Sequence, residues 1–375
     1  MKNFLILIIP IILFSCGPSS ENQVISESNE WELVIEDSIK VDILGKVYTG
    51  EFRDGIGLLF EYTSNTLYKI NESGQVLAKN TFPESGPNSI KALNQVKIGP
   101  KGQIFISSYL GKILELNPDL SFKKEIPMPF KSLAVDGLMN SKTMEFWEDE
   151  LILLYPGRNE VSPYIPFYYR DHFLLEKLNL GTGISEPIVR TPPTSRFSED
   201  KLYDRPSVTF TQNGNNLYLY FSNEPKIHVY DRMDGFTIKE TIDLEIDRFV
   251  IGPELKDEFE YYNFNKLIEG FLEGVFVNDN LLVCLYKKGM TEEMYSMQQF
   301  EFPKDFGKLD YLNPAYFKIF EKNKGWSNEI KIPEKVEIIF SMYDPEEPFF
   351  GMRNDEWLGE EQDYITFYKL KLVRK

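Results

Sequence analysis

The chain has 375 residues, a net charge of −17 and only two cysteines, Cys16 and Cys284. Such acidity disfavours binding to nucleic-acid phosphates and electrostatic docking on anionic lipid, and two cysteines cannot build a disulfide framework. With His172 and His228 as the two histidines and no Cys/His cluster, a structural zinc site is disfavoured as well. The 21 Tyr and 29 Phe suit strands packed face to face.

The chain opens with Lys2 and an apolar run, Phe4–Phe14, which is signal-like and too short to cross a bilayer as a helix. It ends in Leu13-Phe14-Ser15-Cys16-Gly17, which resembles the bacterial lipobox. The resemblance implies cleavage before Cys16 and a diacylglycerol on its thiol. Residues 1–15 are then a lipoprotein signal peptide. Residues 16–29, polar and containing several Ser, Glu and Asn, form a flexible tether. The bland alternative is an ordinary signal peptide with an incidental cysteine. Gly17 is not the Asp that holds some lipoproteins at the inner membrane, so the resemblance implies the outer membrane and leaves the periplasmic or surface face open. Acyl chains on Cys16 would make the membrane a partner of the protein.

Residues 30–375 read as one domain built on a repeat. Leu58-Leu59-Phe60, Leu67–Asn71 and Val76 recur 46 positions later as Ile104-Phe105-Ile106, Ile113–Asn117 and Phe122. A period of 20–50 residues marks a stacked or circular repeat architecture. Each unit begins with an alternating strand and a tight turn: Asp54-Gly55, Pro100-Lys101-Gly102, Glu148-Asp149-Glu150, Asn213–Asn216 and Asn278-Asp279-Asn280. Turn residues bounded by apolar alternation predict hairpins. The second strands are predicted to start at residues 58, 104, 151, 217 and 281. Third strands follow at Leu67–Asn71, Ile113–Asn117, Leu174–Asn179, Ile227–Asp231 and Tyr316–Phe320. The fourth strands are shorter and more polar, the last of them at Asn328–Ile332. This describes an all-β fold, a β-propeller with blades of four antiparallel strands and a wet outer strand.

Val336–Phe340 and Tyr364–Leu372 supply strands of a last blade, with an insertion at Ser341–Asp363 between them. The alternating segment Trp31–Ile43 is expected to complete that blade beside Tyr364–Leu372 and so remove an exposed sheet edge. Six blades follow. Seven would require the N-terminal and C-terminal regions each to build more than these strands. The larger steps between units come from Pro156–Phe173, Arg190–Arg205, Phe249–Gly270 and Lys287–Ala315, and Pro253–Gly270 has rough helical spacing. All these connections open on one end of a propeller, which makes that end the default binding face.

The lipobox, the strand–turn–strand blades and Ser85-Gly86-Pro87-Asn88 between two blades resemble Bacteroidota lipoproteins of unknown function with a six-bladed, TolB-like or NHL-like propeller. The resemblance implies fold and cellular address. It carries no catalytic residue, because that family has no assigned reaction.

No nucleophile elbow, phosphate loop, zinc-protease helix or calcium loop is present. The candidates for ligand binding lie in and beside the insertions: Tyr155, Arg158, Tyr168, Arg170, Arg205, Arg353 and Trp357. A guanidinium beside aromatics can grip a carboxylate or stack on a ring. The structural alternative is that these aromatics plug the loops onto the propeller and that Arg170 pairs with Asp171. Asp136 reads as a turn residue, His228 as a packed histidine and Cys284, within an apolar strand, as an inert buried thiol. The sequence thus predicts a membrane-tethered, non-enzymatic binding protein for a small ligand, glycan, peptide or protein, with no cofactor and no metal. The alternative is a metal-dependent, lactonase-like hydrolase at the channel mouth. It needs a cluster of inward carboxylates and Asn, and no inner-strand acid recurs at equivalent repeat positions.

Overall fold

The computed structural model describes residues 29–375 apart from 87, 91–92, 133–141, 264–267, 299–310 and 341. Cys16, the tether up to residue 28 and Asp136 lie outside the described residues. Six four-stranded antiparallel blades stand around a central axis. The innermost strands, in blade order, are Val47–Arg53, Leu93–Ile98, Met144–Trp147, Val208–Asn213, Phe271–Val277 and Val336–Ile339. In blades 1 to 5 each is followed outward by the second and third strands that the alternation predicts.

Strand periodicity explains the packing. Successive side chains point to opposite faces of a sheet, so each blade feeds two seams. Leu58 and Phe60 pack toward blade 2, while Leu59 between them packs toward blade 6. Six buried apolar clusters result, one at each seam between neighbouring blades. Cys284 is fully buried in the seam between blades 4 and 5, and burial pushes its thiol well above the ordinary range.

The ring closes as expected. Trp31–Val41 is the outer strand of blade 6 and pairs antiparallel with Ile365–Arg374, from Trp31 opposite Arg374 to Val41 opposite Ile365. Two expectations need correction. Residues 341–363 are not one insertion, because Phe349–Arg353 within them is the second strand of blade 6. Its apolar start was obscured by the acids on either side. The outer strand of blade 5 is also broken: Gly325–Trp326 and Ile330–Lys331 each pair separately with Ala315–Glu321. Helices are short. Glu258–Asn263 is the helical part of the stretch after Pro253. Among the described residues no helix is long and apolar enough to cross a membrane.

Candidate functional site

Three places in the propeller gather chemistry: the central channel, the end bearing the insertions, and the opposite end. In the channel, Lys97 reaches Glu51 at 3.1 Å and Glu145 at 2.9 Å, joining the inner strands of blades 1, 2 and 3. Lys142 lies 3.5 Å from Glu145, donates to Thr211 Oγ1 of blade 4 at 3.0 Å and sits over the Phe276 ring of blade 5. Glu51 also accepts the Ile98 backbone N–H. Above them Gln95 accepts the Thr143 N–H at 2.9 Å and donates to the Met144 carbonyl at 3.1 Å. Burial alone would discharge Lys97, but Glu145 and Glu51 outweigh it and hold its pKa above that of an ordinary lysine. Burial likewise works against the Glu145 carboxylate, yet Lys97 and Lys142 keep its pKa low. For Lys142 burial wins over Glu145, and its pKa falls.

This network was not found from the sequence, though a signal for it exists. Positions 51, 97 and 145 carry charges of alternating sign at nearly the blade period. Glu51 pairs across its hairpin with Leu58, the first residue of the second strand by repeat alignment. Lys97 faces Phe105 and Glu145 faces Ile152, one register step further. Glu51 and Lys97 stand one 46-residue period apart but carry opposite signs, and Glu145 lies one position past the next repeat, so a search for a recurring acid passes over them. The ammonium of Lys97 occupies the place between two carboxylates that a cation would need. Among the described residues no group of three or more His, Cys, Asp or Glu is placed to hold a metal.

The end with the insertions carries a cap over blades 3 to 5. Leu202–Tyr203, before blade 4, pairs with Glu254–Leu255, after it. Tyr261 donates to the Ile165 carbonyl at 3.4 Å and Tyr169 to the Pro206 carbonyl at 3.0 Å. Beneath the cap Glu224 accepts from Ser195 Oγ at 2.7 Å and from the Arg196 N–H at 3.1 Å, and faces His228 at 3.5 Å. The buried imidazole meets this carboxylate and Thr241, not the serine hydroxyl. This is a packed histidine with a structural role.

The structure separates the seven residues named from the sequence. Tyr155 and Arg158 lie toward blade 2. The Tyr155 hydroxyl donates to the Phe130 carbonyl at 3.0 Å. Its ring approaches so closely that a Cβ at Gly111 would sit 2.8 Å from it. Arg158 forks onto Glu176 at 2.7 and 2.6 Å and reaches Ser185. Tyr168 is buried and stacks on His172, and burial with the nearby Glu176 charge pushes its hydroxyl up to about 12. Arg170 holds Asp171 at 2.7 Å and Asp200 at 2.6 Å. Arg205 lies over the Tyr164 ring at 4.0 Å. Tyr168 and Arg205 border a cavity of about 30 Å³, room for little more than a water. Arg353, at the end of a strand and not in a loop, holds Asp355 at 2.9 Å and Glu360 at 2.5 Å. Trp357 is exposed on the short helix Asp355–Leu358 that follows. Arg158, Arg170 and Arg353 are thus all engaged by carboxylates of the protein itself.

The open cleft on this face lies elsewhere, between blades 5 and 6. It encloses about 250 Å³. Phe271, Leu285 and Val336 give it apolar walls. Glu273 and Lys287, paired at 3.3 Å, with Glu334 and Asn354, give it a polar rim. None of these stood out in the sequence, because two of its walls are ordinary blade strands.

No family model matches the chain, and no curated protein does. Solved structures do. The chain is similar to a member of the DUF4221 family from Bacteroides vulgatus, with 14% identity and a TM-score of 0.63 over 93% of this chain and 100% of that one. It is similar to a putative exported protein from Bacteroides fragilis, with 15% identity and a TM-score of 0.57 over 92% and 95%. At these identities the likeness shows the fold: a six-bladed β-propeller.

Proposed function

We propose that the protein is a non-enzymatic binding protein of the cell envelope, anchored in the outer membrane through lipid on Cys16. It takes its ligand on the end of the propeller that carries the insertions. The cleft between blades 5 and 6 receives a small molecule, a glycan or a peptide, with the exposed Trp357, just beyond Asn354 of its rim, as an outlying contact for a larger partner. The observation that carries this reading is a contrast in openness. The channel is bridged by a Lys/Glu network, the seam between blades 3 and 4 is closed to about 30 Å³, and the cleft between blades 5 and 6 keeps about 250 Å³. The lactonase-like alternative needs carboxylates free to hold a cation, and Glu51 and Glu145 are both committed to Lys97.

The test is a thermal-shift screen of the purified protein against glycans, peptides, small carboxylates and divalent metals, since a ligand of the folded state raises the melting temperature. A shift with one of the first three, abolished by Glu334→Trp at the cleft mouth, is expected. A Ca²⁺-specific shift accompanied by lactone hydrolysis would overturn the reading. Lipidation is tested separately: [³H]palmitate should label the wild-type protein in cells and not Cys16→Ser.

A further inference from the structure

The end of the propeller opposite the insertions is plain, except at blade 6. In blades 1 to 5 the first and second strands are joined by turns of two to five residues; in blade 6 the connection runs from residue 340 to 348. This loop is fastened on both sides. Asn278 of blade 5 donates to Asp344 at 2.7 Å and to Glu346 at 2.9 Å. Arg53 of blade 1 donates to the Tyr343 hydroxyl at 2.8 Å, lies over that ring at 4.2 Å and is itself fixed by the Ile98 carbonyl at 3.0 Å.

Between the fastened loop and blade 1 lies a cleft of about 380 Å³. Phe52 and Phe350, stacked at 4.3 Å, line its apolar side. Gly57 makes room for this arrangement, because a Cβ there would meet the Phe52 ring at 2.7 Å. Tyr343 is 58% exposed, with Arg53 against its ring. Around these aromatics stand Lys369, Glu72 and Glu347, whose side chains make no ion pair or hydrogen bond among the described residues. The cleft therefore combines an aromatic surface, a half-buried ammonium and unused carboxylates, held by a loop that is already fixed.

We propose that this cleft is a second binding site, for a neutral mono- or disaccharide. Its size falls within the usual range for small-ligand sites, roughly 300–1,000 Å³. Carboxylates outnumber cations in it: Asp54, Glu72, Asp344 and Glu347 against Arg53 and Lys369. An anionic ligand is repelled by that balance. Sugar hydroxyls can donate to the carboxylates and accept from the ammonium, using both halves of the hydrogen-bonding inventory. The C–H face of a pyranose matches the negative face of an aromatic ring. The site is independent of the cleft between blades 5 and 6, which opens on the other end.

The test is saturation-transfer NMR on the purified protein with D-glucose, N-acetyl-D-glucosamine, maltose and cellobiose, and with glucose 6-phosphate as the charged counterpart. At least one neutral sugar should bind, and better than the phosphate. Tyr343→Ala and Lys369→Met should each weaken binding tenfold or more, and Glu334→Trp on the opposite end should leave it unchanged. Lys369→Met keeps the loop and its fastenings, so it separates loss of a contact from loss of the loop. The proposal is overturned by no binding of any neutral sugar at 50 mM, by stronger binding of the phosphate, or by affinity that both substitutions leave unchanged.

Discussion

Blades 1 and 2 share their strand plan with blades 5 and 6, yet the seams they make have opposite characters. The seam between blades 1 and 2 joins two units whose strands are linked, within each blade, by turns of two to five residues. It is closed by apolar residues from Leu58 to Leu120 and, toward the axis, by Lys97 bridging Glu51 and Glu145. The seams flanking blade 6 have apolar centres as well, but longer connections and a broken outer strand in blade 5 leave clefts at both ends. Where the repeat is kept, neighbouring sheets meet over their whole height and the seam serves stability. Where it is interrupted, the sheets still meet at mid-height and the ends part, which leaves room for a ligand.

The sharpest way to break this contrast is to remove the bridging ammonium. Lys97→Met leaves two carboxylates buried and facing each other, and should cost about 3–5 kcal/mol, read as a drop in the urea midpoint. Adding Glu51→Gln and Glu145→Gln should recover part of the loss. If Lys97→Met alone costs under about 1 kcal/mol, the channel network is not what holds blades 1 to 3 together. Closure at blade 6 rests on apolar packing instead. Trp31→Ala, which empties a site buried against blades 5 and 6, should cost about 3 kcal/mol and need no charge compensation.

The pH dependence gives a smaller effect and sharpens the assignment. The pKa of Glu145 is lowered in the folded protein, so its contribution is fully present above the unfolded value of about 4.3. It is lost as pH falls through the folded value. Lys97 is raised, so its contribution is present below about pH 10.4 and is lost as pH rises through its folded value. Lys142 has the opposite sign: its folded pKa is lowered, so stability should rise with pH as the folded state releases that proton first. Urea midpoints of wild type and Glu145→Gln should converge in acid, and those of wild type and Lys142→Met in base. The smallest expected effects lie among the surface arginines. Arg158→Met should cost about 1 kcal/mol through its fork on the buried Glu176, and Arg170→Met, with exposed partners, about 0.5 kcal/mol or less in the same measurement.

Much of the propeller is legible in the chain. Short, nearly continuous apolar runs such as Leu58–Tyr62 or Leu217–Phe221 mark strands because a pleated strand sends successive side chains to two different seams, both buried. Asp54-Gly55 and its counterparts mark turns because those residues accept positive φ cheaply. The second strand of blade 6 escaped because Phe349–Arg353 is short and framed by acids that belong to the connections on either side. The arginine–aromatic groups at Arg158 and Arg170 looked like ligand contacts because the sequence does not say which carboxylate will meet each guanidinium. The folded chain supplies Glu176 and Asp200, 18 and 30 residues away.

Spacing along the chain, with one buried face per side chain, is enough to dictate the strand plan, the repeat and the closing role of Trp31–Val41. Which charges meet in the channel, and where the clefts open, depends on contacts between distant blades. Glu51, Lys97 and Glu145 come from three blades, and each cleft is walled by two, so their chemistry exists only once separate turns of the ring are brought to contact distance.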